Sequence, residues 1–282
     1  MTLHDWLQDW LELYVDPSAL AENTKRCYHR AVRAVPDALG VQPLSELSPL
    51  DLRRWLLQVA QSTPRAAQLD RVMLSRSLTV AAKLGLCRAG MVDGDVCPQI
   101  VHKPRKTDVL SAEQLRDYMA AAAATPCAPV LMLCCCGLRR GEAMGARWEN
   151  VDLKAGTLAV VGQRQTHELM PLKSEASRRV IALPPRVIEL LRKMPRHISG
   201  WICDVSQTTV YKSHMAALDA AGLPHVTLHA LRHSMATICA MKGEPIKLIQ
   251  AALGHSHYSL TADLYADHLP PVAAVTGRFL AV

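Results

Sequence analysis

One short stretch of this chain breaks an otherwise helical pattern. From Thr157 to Leu183 the apolar period turns extended, in three runs: Thr157–Gly162, Glu168–Lys173 and Arg178–Leu183. Almost everywhere else apolar residues recur at helical spacing. The chain is therefore expected to be mainly α with a small antiparallel β-sheet built from those runs. Lys173 would sit at a hairpin turn, able to reach a ligand.

The helical remainder divides into two parts. Near the amino terminus Trp6, Leu7, Trp10, Leu11 and Tyr14 recur at helical spacing, and so do the segments Asn23–Val35, Ser48–Ala60 and Arg65–Leu84. Asn23 and Ser48 are suitable N-caps. The stretch Gln99–Asp108, with Pro104 and the bases Lys103, Arg105 and Lys106, reads as a linker. Ser111-Ala112-Glu113-Gln114 is a capping-box signal that opens the second part. Boundaries are expected at 1–98, 99–108 and 109–282, with helices resuming at Pro185.

Half of the 282 residues are apolar, enough for two cores, and the formal net charge is +7. That charge favours a polyanionic partner. Nine cysteines include no C-x-x-C spacing. Cys134, Cys135 and Cys136 stand side by side in an apolar run and read as buried hydrophobes in a reducing cytoplasm. The opening residues carry acids where a secretory leader needs bases, so secretion is not expected. Ala120–Leu138 is apolar but contains Pro126 and Pro129, which suits a helical hairpin in a core better than a membrane span.

The segment Thr227–Tyr265 carries most of the chemistry. It reads T-L-H-A-L-R-H, then A-L-G-H-S-H, then L-T-A-D-L-Y. Thr227 is a fitting N-cap and Gly243 a fitting stop for a helix with the stripe Leu228, Leu231, Met235 and Ile238. His229 and Arg232, three apart, share one helical face. Glu244-Pro245 opens a further helix that ends at Gly254, just before His255. Two imidazoles, a guanidinium and the Tyr265 phenol can thus converge, a grouping suited to attack of a tyrosine on a phosphate.

H-A-L-R-H, L-G-H and a tyrosine ten residues later resemble the carboxy-terminal signature of the tyrosine recombinases, the phage integrase family. Upstream, Cys136–Glu142 followed by Trp148 is similar to the family's G-L-R-x-x-E box. Leu172-Lys173-Ser174 with Ser177-Arg178-Arg179-Val180 and a Leu-Pro resembles its lysine-bearing hairpin. Cys136, Gly145 and Asn150 depart from the usual threonine, leucine and aspartate, none at a catalytic position.

The resemblance implies a helical core-binding domain followed by an α+β catalytic domain. The activity implied is site-specific recombination of DNA through a 3′-phosphotyrosyl intermediate, with no cofactor, because the link preserves the phosphodiester's energy. Tyr265 would be the nucleophile. Arg139 and Arg232 would clamp the phosphate, since guanidinium forks match its oxygens. His255 would donate to the same phosphate. His229 would hold it or accept the phenol's proton. Lys173 would protonate the leaving oxygen. Glu142 would orient the site without reacting.

Lys103, Arg105, Lys106, Arg140, Arg178 and Arg179 are candidate DNA contacts. The implied partners are double-stranded DNA, three further copies in a tetramer on paired sites, and accessory DNA-bending proteins. The apolar tail Ala273–Val282 would dock on a neighbouring copy. A two-domain form without an arm-binding domain, acting in the cytoplasm at the nucleoid, is expected. A metal is not: His225, His229 and His233 fall at i, i+4 and i+8, but His225 should lie before the Thr227 cap, and no H-E-x-x-H is present. Two other readings stay open, an inactive DNA-binding accessory or regulatory protein and a topoisomerase of like chemistry.

Overall fold

The computed structural model describes residues 1–97, 99–100, 108–164, 168–172 and 177–254. The chain divides into two compact units, Met1–Arg105 and Lys106–Val282. Lys103, Arg105, Lys106, Lys173, His255, Tyr265 and the tail fall outside the described residues.

The first unit is helical. Its α1 (Leu3–Trp10) starts at a capping box between Thr2 and Asp5 and runs into a π-helical turn, Leu11–Val15. That turn closes with an i→i+5 bond of 2.8 Å from Asp16 N–H to the Leu11 carbonyl. The wider turn advances the helical phase. Val15 takes the buried place, and Tyr14, expected in the stripe, turns out to solvent. Helix α2 (Glu22–Arg33) begins two residues earlier than an Asn23 cap predicts. Its N-cap is Ala21, and Asn23 accepts a bond from Arg26 instead.

A short helix, α3 (Asp37–Gly40), leads to α4 (Pro49–Ser62), whose cap is the predicted Ser48, and α5 (Pro64–Lys83) begins after Thr63. Trp6, Leu7, Trp10, Leu52, Leu56, Met73 and Leu74 form the core. Among the described residues of this unit, Asp70 is the one buried acid.

In the second unit Ser111 and Gln114 close the predicted capping box on α6 (Ala112–Ala122). Pro126 separates α6 from α7 (Ala128–Cys135), every residue of which is buried. The two helices form the expected hairpin, and among the described residues no helix is long and apolar enough to cross a membrane. Burial pushes the thiols of Cys134 and Cys136 up to about 12, so they stay protonated.

Helix α8 (Arg140–Met144) and a 3-10 turn (Trp148–Asn150) precede the sheet. Strands β1 (Val151–Asp152), β2 (Thr157–Val160) and β5 (Arg179–Ala182) form an antiparallel sheet in the order β1-β2-β5, with Leu158 opposite Ile181. Strands β3 (Gln163–Arg164) and β4 (Leu169–Met170) pair separately. The three predicted runs therefore do not make one sheet. The middle run folds back on residues just before it, and Val151–Asp152, too short to show alternation, supplies the third strand. Helices α9 (Pro185–Lys193), α10 (Gln207–Ala220), α11 (Leu228–Met241) and α12 (Ile246–Leu253) complete the unit.

Two glycines set the approach of these elements. Gly137 has φ +92°, and a Cβ there would lie 2.2 Å from Met235 Cε. At Gly145 a Cβ would meet the β3 backbone and the Gly141 carbonyl at 3.0 Å, so a side chain there would have to push the β3 backbone aside.

Candidate active site

Local rules place the first functional groups. The Gly137 turn ends α7 and sends Leu138 into the core, leaving Arg139 at the start of α8. Thr227 caps α11 as predicted, its hydroxyl accepting from Ala230 N–H, and the helix stops before Gly243. The predicted apolar stripe is only part of the burial. Leu231 is buried, but so are Arg232, His233, Ser234 and Thr237, while Leu228, Met235 and Ile238 are only partly covered. Ser234 explains one of these: its hydroxyl accepts from Leu110 N–H and donates to the Ala230 carbonyl.

Glu142 is the hub on which the site is built. Its side chain is 2% exposed. One carboxylate oxygen accepts from Arg139 Nη1 at 2.7 Å; the other accepts from Arg139 backbone N–H and from Arg179 Nη2, both at 2.9 Å. Arg232 Nη1 lies 3.9 Å from that second oxygen. Burial alone would raise this carboxyl's pKa, but the bonds and charges of Arg179 and Arg139 outweigh it and hold it below the ordinary value. Three guanidiniums thus share one carboxylate, leaving a surplus of positive charge suited to an anion.

Arg232 is the most enclosed of the three, at 1% exposure. Nη1 donates to the Gly137 carbonyl at 2.7 Å, while Nε and Nη2 have no partner among the described residues. Burial, with Arg139 adding, lowers its pKa to about 9, so it remains charged at neutral pH. Two unsatisfied donors on a buried cation are costly unless a ligand completes them.

The carboxy-terminal end of α12 joins the cluster. Gly254 adopts a left-handed conformation, φ +65°, and its carbonyl accepts from Arg139 Nη2 at 3.2 Å. The Ala252 carbonyl accepts from Arg179 Nε at 2.6 Å. Two cations at the negative end of a helix are favourably placed.

Arg139 and Arg140 open onto a cavity of about 620 Å³, also lined by Gln163, Arg164, Tyr211, His225 and His229. His229 reaches solvent there, yet crowding around the ring lowers its pKa, and the charges of Arg232 and Arg139 push the same way. A neutral imidazole can accept a proton. His233 stacks edge-on against it, 4.3 Å between ring centroids.

Of the residues named from sequence, the structure brings together Arg139, Glu142, Arg232 and His229, with Arg140 on the cavity wall. Arg178 is exposed. Arg179, named from sequence as a DNA contact, is enclosed: its side chain is 6% exposed and donates to the Glu142 carboxylate and to the Ala252 and Ser177 carbonyls. His225 lies before α11, as expected, and pairs with Asp219 at 2.7 Å. No group of three metal-ligating side chains occurs among the described residues.

Sequence reasoning missed Gln163, Arg164 and Tyr211 on the cavity wall. It also missed the buried His214, which bridges the Tyr118 hydroxyl at 2.7 Å and the Val226 carbonyl at 2.8 Å, holding the residue before the α11 cap. None of these carries a local motif.

Comparisons with known proteins bear on this geometry. Residues 92–270 match the family model described as "Phage integrase family". An integrase of Streptomyces ambofaciens is 26% identical over 303 aligned positions, covering 96% of this chain and 77% of that protein. A XerC-like tyrosine recombinase of Caldanaerobacter subterraneus is 28% identical over 170, covering 48% of this chain and 43% of the longer relative. Among solved structures, a fragment of the Tn1549 transposon integrase in complex with a circular intermediate DNA superposes with a TM-score of 0.80. That likeness spans 100% of both chains at 18% identity and shows a shared fold.

Proposed function

Because the chain belongs to the phage integrase family and is a tyrosine recombinase, we propose that it cuts and rejoins double-stranded DNA at specific sites through Tyr265. The observation that carries this reading is the pair of donors on buried Arg232 that have no partner among the described residues, close to Arg139, which lines an open cavity. A phosphodiester supplies the acceptor oxygens these donors lack.

In the proposed reaction the Tyr265 phenol loses its proton and attacks the scissile phosphorus in line. The phosphorus–O5′ bond breaks, leaving a 3′-phosphotyrosyl link and a 5′-hydroxyl. Arg139 and Arg232 stabilise the charge that builds on the non-bridging oxygens. His229 takes the phenol's proton or holds the phosphate. His255, directly after Gly254 in sequence, donates to the same group, and Lys173 protonates O5′. A 5′-hydroxyl from either strand reverses the step, so neither nucleotide nor metal is consumed.

Both units would contact the duplex, with Arg140, Arg178 and the linker bases on backbone phosphates. Four copies on two sites, linked through the apolar tail, would carry out exchange in the cytoplasm at the nucleoid. The relatives' names favour neither a topoisomerase nor an inactive regulator.

The test is direct. The protein is incubated with nicked duplex fragments from its own genomic neighbourhood, boiled in detergent, and the DNA retained on protein is sequenced. A covalent adduct at a defined site, absent in Tyr265→Phe, is expected. No adduct from the wild-type chain overturns the reading.

A further inference from the structure

We infer that Arg179 is a positioning residue for strand cleavage, acting through Glu142 and α12 rather than through DNA; this rests on the function proposed above. Three observations carry it. First, Arg179 is the opening residue of β5, paired with Val160 of β2, so its backbone is fixed by the sheet. Second, its side chain is almost fully enclosed and its guanidinium spans three segments: Nη2 to Glu142, Nε to the Ala252 carbonyl, Nη1 to the Ser177 carbonyl. Third, both distant partners are themselves tied to the phosphate-binding arginine. Glu142 holds the Arg139 guanidinium, and α12, whose Ala252 carbonyl Arg179 grips, ends at Gly254, whose carbonyl binds Arg139.

The closed path Arg179–Glu142–Arg139–Gly254–α12–Arg179 has a clear consequence. Arg139 can aim at a phosphate only if Glu142 is held on its far side and the end of α12 is held in register. Arg179 does both with one planar fork, which a lysine's single ammonium cannot reproduce. Without it, one carboxylate oxygen of Glu142 would lose its strong donor, and Arg139 and Arg232 would be drawn toward that oxygen and away from the cavity. Cleavage geometry is then lost while the exposed cations that hold the duplex are untouched.

The alternative is the one the sequence suggests, Arg179 as a phosphate contact. The two readings separate on the duplex mapped by adduct sequencing. For Arg179→Gln we expect single-turnover adduct formation to fall about 10- to 100-fold, in the range seen when outer supports of a site are removed. Duplex affinity should stay within about 3-fold, with the slope of log affinity against log salt unchanged. Arg179→Lys should recover part of the rate, since it keeps one of the three contacts.

A uniform drop in affinity with a salt slope reduced by about 1, at unchanged cleavage rate, would overturn the inference. So would wild-type cleavage in Arg179→Gln. If Arg179→Gln fails to fold, Arg179→Lys decides alone by the same split between rate and affinity. Failure of the underlying reading is distinct: there the wild-type chain itself forms no Tyr265-dependent adduct.

Discussion

The two units bury polar groups for different reasons. Among the described residues of Met1–Arg105, the core is apolar except for Asp70 and Ser77. Burial raises the Asp70 carboxyl to about 6, with Arg30 only partly opposing it. In Lys106–Val282 the enclosed polar groups include Glu142, Arg232, His214 and Ser234, and most are hydrogen-bonded to one another or to backbone. Arg232 keeps two donors with no partner among the described residues. A lone buried acid is a local cost. A cluster of cations around one carboxylate, with donors to spare and with Arg139 on a cavity wall, suits an anion.

The largest expected effect tests that contrast at its centre. Arg232→Ala should slow adduct formation on the mapped duplex roughly 100- to 1,000-fold, as when one oxyanion donor is removed. Single-turnover kinetics with Tyr265→Phe as the blank measures it. Cleavage within about ten-fold of wild type would make Arg232 a structural cation like any other and erase the distinction between the units.

Next comes Glu142→Gln, which leaves three clustered guanidiniums without their carboxylate. Removing one member of a buried ionic group costs about 3 kcal/mol or more. Hydrogen exchange should show the loss in the amides of α8 and α11 and none in α4 or α5. The pH dependence has a definite sign. Glu142's folded pKa is held below the ordinary carboxylate value, so its stabilisation is present at neutral pH and lost as the pH falls through that lower value. Protection lost evenly over both units would break the comparison.

Asp70→Asn should act in the opposite direction. The Asp70 pKa is raised, so the folded state favours its protonated form, and that contribution is lost as pH rises from about 4 through 6. Replacing the acid by a neutral amide should stabilise the first unit by about 2 kcal/mol at pH 7 and by almost nothing at pH 4. Exchange rates in α5 at the two pH values would show it. Acidification from neutral thus relieves Asp70 and strains Glu142.

What the sequence disclosed depends on the reach of each interaction. Caps at Ser48, Ser111 and Thr227 were legible because a hydroxyl and an N–H within three residues decide them. The hairpin of α6 and α7 was legible from two prolines in an apolar run. Arg139, Glu142 and Arg232 were named from the family pattern; no periodicity could have shown that they meet. The bonds of Arg179 were not legible because its distant partners lie 37 and 73 residues away, leaving an arginine among bases with no local mark. The sheet was misread because β1 has two residues, too few to alternate. Tyr14 was misplaced because a π-helical turn changes the period that helical spacing assumes.

The smallest effect isolates what the units share. Ser48 begins α4 in the first unit, and Ser111 begins α6 in the second, each with its hydroxyl accepting a backbone N–H at the first turn. Each bond satisfies one orphan donor, so Ser48→Ala and Ser111→Ala should each cost about 1 kcal/mol, confined to the helix concerned. Exchange in the first turns of α4 and α6 would report both. If the two losses match, local helix signals are equal in the two units, and the contrast between them resides in the buried ionic cluster. A loss at Ser111 several times that at Ser48 would mean that the cluster depends on the α6 cap, through Leu110 and its bond to Ser234 on the helix that carries Arg232.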